Sequence, residues 1–116
     1  MAKQSLLECS FLIPVRRDAN LSDGEFHEPE AWQRIADELF ERFGGATRSR
    51  EHYEGFYRDR ETGEQVSDES VKYIVAVPRR RLSDLHSFLS EMCELFKQKC
   101  IYLSVAGKVE FIEAAK

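Results

Sequence analysis

The chain has 116 residues, 42% of them hydrophobic and 33% charged, with a formal net charge of −4. That length and apolar content fit a single domain over 1–116 and exclude a disordered chain or a two-domain enzyme. No apolar run approaches the roughly 20 residues of a membrane-spanning helix, and the acidic balance argues against a nucleic-acid partner.

The opening Met-Ala-Lys-Gln-Ser-Leu-Leu-Glu-Cys is too short and too polar for a signal peptide, so a cytoplasmic location is expected. The three cysteines, Cys9, Cys93 and Cys100, are odd in number and form no CxxC. That excludes a disulfide framework and a zinc site and fits reduced thiols.

Period-two alternation predicts strand one over residues 7–15. Leu7, Cys9, Phe11, Ile13 and Val15 share one parity, and Leu6, Glu8, Ser10 and Leu12 share the other. Residues 16–27 carry turn chemistry, including Ser22-Asp23-Gly24. Trp32, Ile35, Ala36, Leu39, Phe40 and Phe43 then follow helical spacing as one broad apolar stripe. Pro29 suits the first turn of this helix, and Gly44-Gly45 supplies its stop.

Residues 47–58 read as a single edge strand, exposed at first and buried later, with charge blunting the edge. A turn around Gly63 follows, and Asp68 and Ser70 are read as closing the approach to strand three. Strand three is Val71 with Tyr73, Val75 and Val77, apolar on both sides and therefore central. Helix two carries Leu82, Leu85, Leu89, Met92 and Phe96 as its stripe.

The last segment offers a choice. A two-residue turn at Ala106-Gly107 sends Val109 and Phe111 to the opposite face from Ile101 and Leu103. One continuous strand, kinked at Gly107, keeps all of them together, so a single strand four is expected.

The resulting βαββαβ order predicts an α+β ferredoxin-like sandwich: a four-stranded antiparallel sheet, ordered 4-1-3-2, with two helices on one face. The uncovered face would carry Leu6, Leu12, Ile74 and Tyr102 with few charges. Such a face predicts self-association, most simply a homodimer through the open sheet.

Candidate chemistry gathers in two places. In and beside strand two, Arg48, Arg50, His52 and Tyr57 could bind a ligand, with His52 placed to titrate beside acids and an aromatic ring. Arg16, Arg17, Arg79, Arg80 and Arg81 could bind an anion. His27 and His86 read as packing residues. There is no metal-ligand spacing, no Walker A loop, no GxGxxG and no GxSxG, so neither metal nor cofactor is expected. No catalytic residue is assigned, and strand three lacks the aromatic motif of an RNA-recognition sheet.

Ala31-Trp32, Arg42-Phe43-Gly44-Gly45-Ala46-Thr47, Gly55-Phe56-Tyr57, Glu69-Ser70 and Phe96-Lys97-Gln98 together resemble a family of small uncharacterised bacterial ferredoxin-like domains. The resemblance implies the fold and assigns no activity. The leading expectation is therefore a non-enzymatic module that self-associates or binds a partner. The alternative is a small ligand-binding protein or enzyme of the dimeric α+β barrel kind, with its pocket near strand two.

Overall fold

The computed structural model describes residues 5–115. Residues 1–4, the start of the segment read as lacking a signal peptide, lie outside the described residues. Strand β1 is Leu6–Pro14, helix α1 Pro29–Phe43, β2 Thr47–Arg48, β3 Tyr53–Arg58, β4 Gln65–Pro78, α2 Leu82–Leu95, β5 Cys100–Val105 and β6 Lys108–Glu113. A 3-10 turn, Arg79–Arg81, leads into α2.

These strands form one six-stranded antiparallel sheet in the order β2-β4-β1-β5-β6, with β3 also on β4. The four-stranded ferredoxin-like sandwich expected from the sequence is thereby corrected. Both additional strands have a physical origin.

The expected second strand is split. Arg48 lies opposite Tyr73, whereas Tyr53 lies opposite Ser70, so the register slips by two residues between β2 and β3. Ser49 anchors the slip: its N–H donates to the Lys72 carbonyl at 2.8 Å, and its Oγ accepts from the Lys72 N–H at 3.0 Å. Arg50, Glu51 and His52 are pushed out of the ladder as a polar bulge on an edge.

The expected fourth strand folds back as the β5–β6 hairpin. Ala106 and Gly107 both take positive φ, 49° and 87°, as a tight primed turn requires. Val109 and Phe111 therefore face away from Ile101 and Leu103, and Phe111 remains 63% exposed. Ile112, opposite Ile101, takes the inward position instead.

The core lies between one sheet face and the two helices. Cys9, Phe11, Ile13, Val71, Tyr73, Val75, Val77, Ile101 and Leu103 meet Ile35 and Leu39 of α1 and Leu85, Phe88, Leu89, Met92 and Cys93 of α2. Phe11 stacks on Tyr73 at 5.2 Å and meets the edge of Phe88 at 6.4 Å between centroids. Burying each of these large side chains contributes about 1.5–3 kcal/mol.

Helix α1 buries a narrower stripe than its spacing predicts. Ile35 and Leu39 are enclosed, but Phe40 is 66% exposed. Gly44, at φ 80°, ends the helix; its N–H donates to the Phe40 carbonyl and that of Gly45 to the Leu39 carbonyl. The β6 strand is tied to α2 by Ser90 Oγ donating to the Glu113 carbonyl at 2.6 Å and Cys93 Sγ to that of Ile112 at 3.2 Å. Burial pushes the Cys93 thiol up to about 12, so it packs and does not react. No helix among the described residues is long and apolar enough to cross a membrane.

Candidate functional site

Strand β4 is longer than the apolar run that announces it. Its C-terminal part pairs with β1, and its N-terminal part pairs with β3 as a projecting hairpin. Asp59 holds the tip of that hairpin. Its carboxylate accepts from the N–H groups of Glu61 and Thr62, which hold it below its ordinary pKa.

Opposite this hairpin runs the segment that leaves β1. Val15 donates to the Glu69 carbonyl at 2.9 Å, Arg17 to Glu25 at 2.8 Å and Asp18 to Lys97 at 3.0 Å. Arg17 grips Asp23 through two hydrogen bonds, 2.6 and 3.0 Å. With the Glu25 N–H, this holds the Asp23 carboxyl at about 2. Buried Gln98 pins the segment from below, its Nε2 donating to the carbonyls of Arg16 and Phe96, each at 2.8 Å.

Between the segment and the hairpin lies an open cleft of about 750 Å3. Its walls carry carboxylates from Asp18, Asp59, Asp68 and Glu69 and rings from Phe26, Phe56 and Tyr57. All three rings present more than half of their surface to solvent, Phe56 the most at 76%. Flat exposed rings beside carboxylates suit a ligand with an aromatic base at one end and a positive charge at the other.

Tyr57 and Asp68 share one face of the β3–β4 ladder as diagonal neighbours. Burial, reinforced by Asp68, Asp18 and Asp59, raises the Tyr57 pKa. Its hydroxyl therefore stays protonated and available as a donor at neutral pH. Burial alone raises Asp68. Gly55 faces Asp68 directly.

The residues singled out from the sequence are dispersed. Tyr57, Arg16 and Arg17 line the cleft. Arg17 is spent on Asp23, while Arg16 lies over the Phe26 ring at 3.9 Å. Arg48 lies over Trp32 at 5.0 Å, on the helix-bearing side. Arg50 is exposed in the bulge, and His52 meets Glu69 at 3.1 Å with both side chains in solvent.

Arg79 and Arg80 are exposed in the turn before α2, and Arg81 pairs with Asp84 at 3.0 Å. His27 packs against Trp32 and Phe96. Asp18, Asp59, Asp68, Phe26 and Gly55 were not singled out as site residues. The usable signal was the turn chemistry of residues 59–63, which marks a hairpin and so makes a strand of the polar stretch 65–70. Among the described residues, no three His, Cys, Asp or Glu side chains converge as metal ligands.

No protein-family profile matches the sequence, and no curated protein is significantly similar to it. The backbone has clear counterparts among solved structures. It follows that of a phage SAM lyase. The structure of that protein in complex with S-methyl-5'-thioadenosine superposes with a TM-score of 0.70 at 16% identity, over 98% of this chain and 94% of that one. A phage SAM lyase in its apo state gives 0.62 at 17% identity, over 100% of this chain and 97% of that one. The likeness is one of fold. The shared fold replaces the ferredoxin-like one expected from the sequence.

Proposed function

We propose that this chain is an enzyme that cleaves S-adenosylmethionine (SAM) in the cleft between the β3–β4 hairpin and residues 15–26, releasing S-methyl-5'-thioadenosine. The observation that carries this reading is the pairing of exposed aromatic rings with carboxylates in one cleft, on a backbone that follows a SAM lyase along nearly its whole length.

The chemistry matches the walls. SAM joins an adenine ring, which stacks on exposed aromatic faces, to a sulfonium cation, which carboxylates attract. In the lyase step the bond from sulfur to the amino acid arm breaks and its electron pair passes to sulfur, while the arm's own carboxylate oxygen bonds to the carbon that sulfur leaves and closes a lactone, so atoms and charge balance without a co-reactant. The sulfonium becomes a neutral thioether, with no metal or redox group needed for the balance. Arg16, a cleft cation outside any ion pair among the described residues, is suited to the substrate carboxylate. The protonated Tyr57 hydroxyl is a donor to the same arm.

This reading follows the ligand-binding or enzymatic alternative drawn from the sequence and sets aside the non-enzymatic module. The test is incubation with SAM and quantification of S-methyl-5'-thioadenosine by chromatography with mass detection. Many equivalents of product per chain support the reading, and product at the background rate of SAM decay overturns it.

Self-association through the open sheet face stands as a second, separate proposal, favoured by Val109 and Phe111, which the hairpin leaves exposed beside Tyr102. Sedimentation velocity across a concentration series tests it: a monomer at all concentrations overturns it.

A further inference from the structure

Gly55 sits in the middle of β3, directly opposite Asp68. Its backbone has no left-handed φ, so conformational freedom does not explain it. Glycine inside a strand costs stability relative to a residue with a side chain, and it commonly marks a close approach. Here the approach is explicit. A Cβ at position 55 would stand 2.8 Å from Oδ1 of Asp68, nearer than side-chain carbons come to other heavy atoms.

The notch has walls. Tyr53 and Tyr57 lie two positions either side of Gly55 and share its face of the ladder, with Asp68 across from the gap. Lys72 occupies the Tyr53 ring, its Nζ 5.4 Å from the centroid, which leaves the Tyr57 side open to the cleft. The Asp68 carboxylate is half-buried, and burial is the one influence on it. It forms no hydrogen bond or ion pair with any described residue. A carboxylate drawn out of water without a partner is costly unless a cation arrives to meet it.

We propose that Asp68, seated in the notch left by Gly55, is the binding residue for the positive charge of the ligand, and that Gly55 is its positioning residue. The assignment rests on the reading of the cleft as a SAM site and adds a consequence to it. A site built around an unpaired carboxylate holds the sulfonium substrate and releases the neutral thioether product, because the charge it recognises disappears in the reaction. The adenosine part is common to both molecules; the amino-acid arm that Arg16 and Tyr57 face is lost as well, and Asp68 supplies the part of the discrimination that depends on the sulfonium charge.

Calorimetric titration of the full chain with SAM and with S-methyl-5'-thioadenosine tests this, using the wild type, Asp68→Ala, Gly55→Ala and the double variant. Asp68→Ala is expected to weaken SAM binding at least about tenfold, the scale of a lost charge-assisted contact, and to leave the thioether affinity unchanged. Gly55→Ala is expected to weaken SAM binding in the wild-type background and to add nothing once Asp68 is removed, since the two act through one carboxylate. Thermal melts carry a second readout. Gly55→Ala lowers the midpoint when Asp68 is present and no longer lowers it in the Asp68→Ala background.

Equal SAM affinity in the wild type and Asp68→Ala overturns the assignment while the SAM reading stands. An equal Gly55→Ala penalty in both backgrounds overturns the positioning role. A wild-type chain that binds no SAM overturns the reading of the cleft and this assignment with it.

Discussion

Phe111 lies directly across the β5–β6 ladder from Tyr102, with ring centroids 5.8 Å apart and planes at 79°. This edge-to-face pair exists only because the chain reverses at Ala106-Gly107. An aromatic pair of this geometry contributes about 0.5–1.5 kcal/mol beyond its burial, which partly offsets the exposure of Phe111. The turn itself is imperfect, because Ala106 holds a φ of 49° that its Cβ disfavours. Ala106→Asn, which supplies the preferred Asn-Gly pair, is expected to raise stability by about 0.5–1 kcal/mol. Gly107→Ala is expected to lower it by at least about 1 kcal/mol. Denaturant midpoints of the two variants check both signs.

His27 gives a pH dependence. Its Nε2 lies 2.7 Å from the Pro14 carbonyl, with the ring packed against Trp32 and Phe96. Burial lowers its pKa below 6.5. The unfolded chain therefore binds a proton near pH 6.5 that the folded chain refuses until the pH is lower. The His27 contribution to stability is complete above that value and is lost as pH falls through the lowered one. Urea midpoints at about pH 7.5 and about pH 5.5 are expected to fall further for the wild type than for His27→Gln. Equal falls would show that the ring does not titrate with folding.

Asp23 controls order in the segment facing the cleft. Its grip on Arg17 and on the Glu25 N–H persists above its ordinary 3.8 and is released as pH falls through about 2. Because the Asp23 carboxylate is half exposed and the pair ties residues within one loop, Asp23→Asn is expected to leave the global melting midpoint within about one degree. The Glu25 amide, which donates to Asp23, is expected to exchange hydrogen several-fold faster, about the change of a local opening. Exchange mass spectrometry over residues 16–26 measures it.

Gln98 holds the same segment more deeply. It is buried, and its amide satisfies two carbonyls at once. Gln98→Leu strands both acceptors and is expected to cost about 1–3 kcal/mol. It is also expected to weaken ligand binding in the cleft, because Arg16, whose carbonyl it holds, lines that cleft. A stability loss with unchanged binding would separate the two roles.

Much of the core was legible from periodicity. Cys9, Phe11 and Ile13 alternate as a half-buried strand should, and Leu85, Leu89 and Met92 follow a helical stripe; all six are buried. What escaped depends on partners distant in sequence. Hydrophobic parity favoured one long final strand, because it counts faces and cannot see that Tyr102 rewards an exposed Phe111 or that Ile112 fills the inward place. The bulge at residues 50–52 rests on Ser49 bonding Lys72, a contact no local pattern reports. Phe40 obeys the stripe yet stays outside, since helical spacing does not state how far the sheet extends beneath it. In the candidate site, Tyr57 was visible as an aromatic among charges. Asp68 was not, because a polar stretch becomes a strand only when β3 lies beside it, and only then does Gly55 face it.

The most direct test of the central claim follows the sulfur itself. SAM carrying a 13C-labelled S-methyl group is mixed with a small molar fraction of the chain and watched by NMR. The sulfonium methyl signal is expected to disappear and a thioether methyl signal to grow to equal intensity over many turnovers. A sulfonium signal that declines no faster than in buffer alone would contradict it.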